Sequence, residues 1–231
     1  QIPFMQVLFR QTKDEFAKDD LFDKNDTIKI RQHSFEQIVK ELEKYNLSDT
    51  SDDIKGIAFE SFLGRTFRGE LGQFFTPRPL VDFMVEVLDP QEGETICDPC
   101  CGSGGFLIKA FEYVRDKIEI DVQKAKEKIK EKYLSDEENT DKVNDLIAEL
   151  NEDLNLKNSG GRLNQLSSKS IFGTDANPRM ARTSKMNMIM HGDGHSGLHH
   201  NDGLLNVNGI FEDRFDVILT NPPCGARVDK N

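Results

Sequence analysis

The tripeptide Asn221-Pro222-Pro223 has residue types that can hold an amino group for chemistry, and it follows a strand-like run at 215–220. The Asn221 side chain offers one carbonyl acceptor, and the prolines restrict where the next backbone carbonyl points. A planar amino group on a purine or an amide is a poor nucleophile, because its lone pair is delocalised into the π-system. Two acceptors that hold its hydrogens favour a pyramidal nitrogen and free that lone pair. The pattern therefore indicates alkylation of nitrogen, although Asn-Pro and Pro-Pro pairs alone are typical of turns.

A glycine-rich turn, Asp-Pro-Cys-Cys-Gly-Ser-Gly-Gly at 98–105, lies between a short apolar run and apolar residues at helical spacing. Strand, glycine turn and helix form the usual layout of a nucleotide-binding βα turn, in which the backbone approaches the ligand closely. The spacing differs from the dinucleotide fingerprint G-x-G-x-x-G. Asp98 would also repel a pyrophosphate, so the turn favours a ligand with a cationic or amino end.

Carboxylates also follow the other strand-like runs. Residues 170–175 are predicted to form a second strand that ends at Asp175, followed by a helix from about 179 to 190. A carboxylate in this position usually holds ribose hydroxyls, and it usually lies about 20 residues after the glycines. The gap in this chain is longer, which predicts an insertion between the glycine turn and the second strand. Of two later loop carboxylates, Asp193 and Asp202, the second precedes an apolar pair and is the better candidate for a strand end over the ligand.

The segment Gly72–Leu80 precedes the glycine turn and has the sequence Gly-Gln-Phe-Phe-Thr-Pro-Arg-Pro-Leu. Thr76 is predicted to be the N-cap, and Pro77 the first residue, of an amphipathic helix. A loop that ends at a helix N-terminus presents free N–H groups, which suit an anion such as a carboxylate.

Taken in chain order, these four segments resemble the amino-group class of DNA methyltransferases, in particular the modification subunit of type I restriction–modification systems. The segments are Gly-Gln-Phe-Phe-Thr-Pro-Arg, Asp-Pro-Cys-Cys-Gly-Ser-Gly-Gly, Gly-Thr-Asp-Ala-Asn-Pro and Asn-Pro-Pro, with supporting matches at 182–188 and 191–195. The resemblance covers roughly Gly56 to Gly225. It implies methylation of adenine at N6, with S-adenosylmethionine as the cofactor.

The resemblance implies an α/β, Rossmann-like class I methyltransferase fold, whose sheet normally has the strand order 3-2-1-4-5-7-6. Strands one to four are recognisable here, so an incomplete sheet is expected and the chain is interpreted as a fragment. Residues 1–52 would be the end of a helical N-terminal domain, and residues 53–231 the N-terminal portion of the methyltransferase domain. A charge-rich helical insertion at about 116–157 is interpreted as a solvated hairpin rather than a partner-binding arm.

The resemblance also assigns residues to the cofactor. Asp98 would face the methionine end of S-adenosylmethionine, Asp175 would face the ribose, and Asp202 would lie near the adenine. The other residues expected to line this site are Gln73, Phe74, Phe75, Thr76, Pro77, Arg78, Gly102, Ser103, Gly104 and Gly105.

For catalysis, the resemblance implies that Asn221 and the carbonyl of Pro222, followed by Pro223, hold the amino group of an adenine flipped out of duplex DNA. The nitrogen would attack the sulfonium methyl in line, so catalysis would be mostly positioning. The family usually has an aromatic residue after Asn-Pro-Pro, and stacking on it stabilises a bound base by about 1–3 kcal/mol. This chain has Cys224 there, which cannot supply that contact.

Composition limits the partners. A net charge of −11 is unusual for a stand-alone DNA binder, so DNA affinity is expected from a missing part of the chain or from a partner subunit. The resemblance implies DNA and the specificity and restriction subunits of a type I complex as partners. The sequence has no membrane-length apolar run and no signal-peptide pattern. Four Cys, three of them within 97–101, favour a reducing cytoplasm over disulfides, and neither Cys nor His spacing favours a metal site.

Two other functions stay open on the sequence alone. With Cys224 in place of the aromatic residue, the chain could be a cofactor-binding or subunit-contact fragment without catalysis. Protein-glutamine and RNA methyltransferases also use Asn-Pro-Pro, but the Phe-Thr-Pro segment before the glycine turn favours DNA.

Overall fold

The computed structural model describes residues 4–17, 21–47, 50, 52–66, 76–133, 140–192, 197–203, 205 and 213–223. Its helices are α1 (Phe4–Glu15), α2 (Gln32–Leu42), α3 (Asp52–Thr66), α4 (Arg78–Leu88), α5 (Gly105–Tyr133), α6 (Thr140–Glu152), α7 (Arg162–Gln165) and α8 (Pro178–Met190). Its strands are β1 (Ile96–Asp98), β2 (Ile171–Asp175), β3 (Leu198–His200) and β4 (Val217–Ile218). Within these ranges, no helix is long and apolar enough to cross a membrane.

The four strands form one parallel sheet in the order β3-β2-β1-β4, which confirms the predicted order of strands one to four. The central strand β1 pairs Cys97 with Phe172 of β2 on one side and with Ile218 of β4 on the other. After β3, the chain returns past β2 and β1 to form β4. The direction of strand addition therefore reverses between β1 and β4, and open α/β sheets bind ligands at the carboxyl ends of the strands at such a point.

The main core lies between the sheet and α5. Ile96, Ile171 and Leu198 from the strands are buried in one cluster with Leu107 of α5. Full burial of each such side chain stabilises the fold by about 1.5–3 kcal/mol. Helix α5 contributes buried residues only as far as Val122, and its later turns extend beyond the sheet and pack against α6.

The region predicted as a helical insertion is continuous with α5, which runs unbroken through residue 116 to Tyr133. Helix α6 has no fully buried residue. A π-helical turn, Leu166–Ser170, leads directly into β2, and its Leu166 is buried in the core cluster.

Helix α4 corrects the predicted N-cap. The helix begins at Arg78, and Pro77 rather than Thr76 occupies the N-cap position. The Pro77 carbonyl accepts hydrogen bonds from the N–H groups of Leu80 and Val81 at 2.9 and 3.2 Å. The predicted cap was wrong: Thr76 lies one residue before the cap, where its hydroxyl accepts a hydrogen bond from the distant side chain of Asn221.

The N-terminal helices contact the sheet region through α8. Helix α3 packs on α8, where Phe59 lies against Met180. Between α1 and α2, Asp23 and Asp26 form ion pairs with Arg182 of α8 at 2.8 and 3.2 Å. The division into two domains near residue 52 stays a prediction.

Candidate functional site

All four strands end at one edge of the sheet, and a carboxylate or amide side chain lies at or just after each end. Asp98 and Asp175 are the last residues of β1 and β2. Asp202 follows β3 closely, and Asn221 follows β4. Because the strands are parallel, their carboxyl ends lie side by side. The fold thus gathers three carboxylates and one amide at a single edge.

The glycine turn after β1 is held against α8. Gly102 and Gly104 have φ angles of +55° and +87°, a region that favours glycine. A Cβ added at Gly104 would come within 2.7 Å of the hydroxyl oxygen of Ser184, so α8 packs directly on the turn. Asn187 of the same helix donates through Nδ2 to the carbonyl of Ser103 at 3.0 Å. Helix α8 therefore fixes the shape of the turn that leads into α5.

Asp175 ties the end of β2 to the same turn. One of its carboxylate oxygens accepts the N–H of Gly102 at 2.9 Å, and the other accepts the N–H of Asn177 at 2.8 Å. Asn177 in turn caps α8, because its side chain accepts the N–H of Arg179 at 2.9 Å. Each carboxylate oxygen has two lone pairs, so the Asp175 carboxylate has the capacity to accept ligand hydroxyls as well.

Asp98 is almost fully buried, with 1% of its surface exposed. Burial raises its pKa to about 7, the Thr220 hydroxyl and the Cys100 N–H oppose that rise, and the charge of Asp175 adds to it. Oδ1 of Asp98 accepts the Cys100 N–H at 3.0 Å. A cation beside the carboxylate would lower its pKa again. The surroundings of Asp98 therefore favour a positively charged ligand group.

The loop after β3 lies over the glycine turn. The N–H of Asn201 donates to the carbonyl of Asp175 at 3.2 Å. A Cβ added at Gly203 would overlap the carbonyl oxygen of Pro99, so the two loops touch through their backbones. Asp202 is exposed between these two contacts and therefore lies at the rim of the strand ends.

The Asn-Pro-Pro residues lie after β4, beside the start of α4. Asn221 donates through Nδ2 to the hydroxyl oxygen of Thr76 at 3.2 Å, although the two residues are 145 positions apart. Asn221, Pro222 and Pro223 are all exposed. Because the nitrogen end of the amide is engaged by Thr76, the carbonyl of Asn221 is the end that can accept from an amino group.

Arg78, the first residue of α4, lies next to this contact and is half-buried. Burial lowers the pKa of its guanidinium, and the charges of Glu112 and Asp82 oppose that effect. The remaining residues predicted for this segment, Gln73, Phe74 and Phe75, fall outside the described residues, as does Cys224.

The three cysteines of the turn are free thiols. Burial raises the pKa of Cys97 to about 12, and burial also raises the pKa of Cys100 and Cys101. With raised pKa values, the three thiols stay protonated at neutral pH. In the part of the chain that the structure describes, no group of three His, Cys, Asp or Glu residues could hold a metal ion.

Three residues that shape the site carry weak signals in the sequence. In the sequence, Ser184 and Asn187 belong only to the supporting match at 182–188, although their i, i+3 spacing places them on one face of the predicted helix. Thr220 lies beside Asp98 and has no signal beyond its position before Asn221.

Residues 50–231 match the family model of the N-6 DNA methylases. The chain belongs to this family. The EcoEI type I restriction enzyme methylase subunit of Escherichia coli is 26% identical over 202 residues, which cover 84% of this chain and 33% of that protein. The MjaIX methylase subunit of Methanocaldococcus jannaschii is 30% identical over 178 residues, which cover 74% of this chain and 23% of that protein. This N-6 DNA methylase chain therefore spans a third or less of the length of these relatives.

A solved structure shares the fold of this N-6 DNA methylase chain. The type I restriction–modification system methyltransferase subunit from Streptococcus thermophilus superposes with a TM-score of 0.54 at 21% identity. The match covers 95% of this chain and 38% of that one. It agrees with the Rossmann-like methyltransferase fold that the sequence predicts.

Proposed function

We propose that this chain carries the cofactor site and the amino-group-binding residues of a site-specific, adenine-N6 DNA methyltransferase. The parent protein would be the modification subunit of a type I restriction–modification system. The observation that carries this proposal is the hydrogen bond from Asn221 to Thr76, because it brings Asn-Pro-Pro to the start of α4. Both lie at the sheet edge that also holds Asp98 and Asp175.

The residues present fit S-adenosylmethionine, which would supply an electrophilic methyl group on a positively charged sulfur. The buried carboxyl of Asp98 favours a cationic group beside it. Asp175 has acceptor capacity for the ribose hydroxyls, and Asp202 at the rim is assigned to the adenine side. The start of α4, with its helix N-terminus and Arg78, suits the carboxylate of the same ligand.

The catalytic role is assigned to the exposed residues after β4. Asn221 and the carbonyl of Pro222 would accept the two amino hydrogens of an adenine flipped out of the duplex. Holding the amino nitrogen in this way both orients it and favours its pyramidal form. Correct orientation of two reactants alone can lower a barrier by about 7–11 kcal/mol.

DNA affinity is assigned to other parts of a larger assembly. The chain has a net charge of −11, which opposes contact with the phosphate backbone. We therefore assign DNA contacts to the rest of the parent protein and to the specificity and restriction subunits, which would assemble with it in the cytoplasm.

Calorimetric titration with S-adenosylmethionine tests the cofactor site of this chain. Asp98→Ala should weaken binding by about tenfold or more, because it removes a buried charge partner of a cation. Asn221→Ala should leave the dissociation constant nearly unchanged.

The matched control is Asp216→Asn, at the opposite, amino end of β4. There the exposed carboxylate of Asp216 accepts the N–H of Thr95 at 2.7 Å, so this variant should bind like the wild type. A folded chain with no measurable affinity, or an Asp98→Ala variant with full affinity, would contradict the proposed site.

A further inference from the structure

The peptide unit between Ser103 and Gly104 is held at both of its ends. The carbonyl of Ser103 accepts a hydrogen bond from Nδ2 of Asn187 at 3.0 Å, and the N–H of Gly104 donates to the carbonyl of Cys101 at 2.7 Å. A trans peptide unit is planar, and its C=O and N–H groups point in opposite directions. Two hydrogen bonds at opposite ends of one plane therefore fix its orientation within the glycine turn.

This orientation decides where the next backbone donor of the turn points. The carbonyl of Gly104 accepts the N–H of Ile108 at 2.9 Å, so Gly104 precedes the first turn of α5. The N–H of Gly105 is at the other end of the Gly104–Gly105 peptide, and it therefore points out of the helix start. Because α5 begins at the carboxyl ends of the strands, this donor faces the edge that also holds Asp98.

Packing alone does not account for the amide of Asn187. The residue is 1% exposed, and Oδ1 of its amide is buried with no hydrogen-bond partner among the residues that the structure describes. An unpaired buried acceptor destabilises a fold, and an apolar side chain of similar size would avoid that cost. What the amide supplies, and an apolar side chain could not, is the donor to Ser103.

The turn of α8 that carries Asn187 is fastened to α5. The N–H of His191, at the C-terminal cap of α8, donates to the carbonyl of Asn187 at 3.2 Å. The ring of His191 is buried, and its Nδ1 lies 2.7 Å from Oε1 of Glu112 on α5. The residue that holds the glycine turn is thus anchored to the same helix into which the turn leads.

We propose that Asn187 is a positioning residue for the cofactor site. Its amide donor keeps the Ser103–Gly104 peptide in one orientation, so that the N–H of Gly105 points at the strand ends where the ligand binds. Asn187 acts through the backbone of the glycine turn rather than by contact with the cofactor. The effect on cofactor affinity rests on the function proposed above, whereas the fixed peptide does not.

Amide hydrogen exchange on the ligand-free chain tests the fixed peptide. Asn187→Leu keeps the size of the side chain and removes its donor, so the amide of Gly104, which bonds to Cys101, should exchange about tenfold faster than in the wild type. Wild-type exchange at Gly104 in this variant would overturn the proposal.

The matched control is Asn164→Leu, the same substitution at a similar hydrogen bond. Asn164, in α7 before the amino end of β2, also donates through Nδ2 to a backbone carbonyl, that of Leu156 at 2.6 Å. Loss of this donor should leave exchange at Gly104 within about twofold of the wild type, because α7 lies away from the strand ends. An equal rise in the control would overturn the specific role of Asn187.

Asn187→Asp separates the loss of the donor from a change of shape. At about pH 5.5, burial favours the protonated carboxyl group, whose O–H can donate to the carbonyl of Ser103 as the amide does. Exchange at Gly104 should then return to within about twofold of the wild type at the same pH, while Asn187→Leu stays fast. Equally fast exchange in the two variants at this pH would show that the donor does not hold the peptide.

Calorimetric titration with S-adenosylmethionine then measures the consequence for the site. Asn187→Leu should weaken binding by about fivefold, and Asn164→Leu by less than about twofold. Faster exchange at Gly104 with wild-type affinity in Asn187→Leu would overturn the positioning role. If the wild-type chain shows no cofactor affinity while exchange at Gly104 still rises in Asn187→Leu, the proposed function fails and the fixed peptide stands.

Discussion

At the scale of single residues, Asp98 dominates the electrostatics of the candidate site. Burial raises its pKa from 3.8 to about 7, so the folded chain holds the proton more tightly than the unfolded chain does. The stability that this proton supplies is fully present below about pH 4 and is lost as the pH rises to about 7. A difference of this size corresponds to about 4 kcal/mol of unfolding free energy.

Asp98→Asn should therefore remove a large part of the pH dependence of stability, because an amide has no charge to bury. We expect the variant to be about 2–4 kcal/mol more stable than the wild type at pH 8, and within about 1 kcal/mol of it at pH 4. Denaturant unfolding at both pH values measures the difference, in which the contributions of other groups largely cancel. Parallel pH profiles for the two proteins would show that Asp98 titrates normally.

The contact between Thr76 and Asn221 shows where residue-level inference from the sequence stops. Both residues were singled out, because each belongs to a recognisable segment. Their hydrogen bond joins positions 145 apart, and no local pattern reports such a contact. The Thr-Pro pair by itself indicates a helix cap at Thr76, whereas in the structure Pro77 is the cap and the Thr76 hydroxyl accepts a hydrogen bond from Asn221.

At the scale of elements, α8 connects the N-terminal helices with the glycine turn. Its Ser184 and Asn187 contact the turn, and His191, which caps its C-terminal end, lies against Gly56 of α3. The sequence predicted α8 to within one residue at each end, and α3 packs on it. It did not predict that they pack on each other, because that contact depends on a glycine and a buried histidine that show no periodic signal.

Gly56→Ala should destabilise the chain, because its Cβ would overlap the imidazole of His191. Overpacking costs about 1–3 kcal/mol, and the better helix propensity of Ala offsets about 1 kcal/mol of that. Three ring atoms of His191 lie inside the overlap, so we place the cost at about 2–3 kcal/mol and expect a net loss of about 1–2 kcal/mol in denaturant unfolding. In a His191→Ala background the same substitution should be neutral or stabilising.

Gly160→Ala is the control for this pair, since the nearest atom to its added Cβ, Oδ1 of Asn158, is 3.6 Å away. This variant should stay within about 0.5 kcal/mol of the wild type. A Gly56→Ala chain of wild-type stability in the normal background would show that α3 does not lie against His191 as described.

At the scale of the whole molecule, the sheet order could be predicted because each strand ends in a motif with a known place in the resemblance. The bounds of β4 could not, since only Val217 and Ile218 of the run 215–220 pair with β1. The strand edge gathers Asp98, Asp175 and Asn221, yet the chain covers only 33% of the EcoEI methylase subunit and 23% of the MjaIX methylase subunit. Under the proposed function, cofactor binding is therefore tested on this chain, and methyl transfer is tested on a full-length modification subunit that contains it.

In the parent protein, Asn221→Ala should abolish methylation of adenine in duplex DNA, because it removes the side-chain carbonyl assigned to the amino group. Affinity for S-adenosylmethionine should change by less than about twofold, since Asn221 lies after β4 and Asp98 and Asp175 remain. Thr76→Val, which removes the partner of the Asn221 amide and keeps its shape, should lower the rate by about tenfold through misorientation alone. Transfer of labelled methyl groups to DNA measures both variants. Full activity of Asn221→Ala would show that the amino group is held elsewhere, whereas loss of cofactor binding in that variant would show that Asn221 supports the pocket rather than the base.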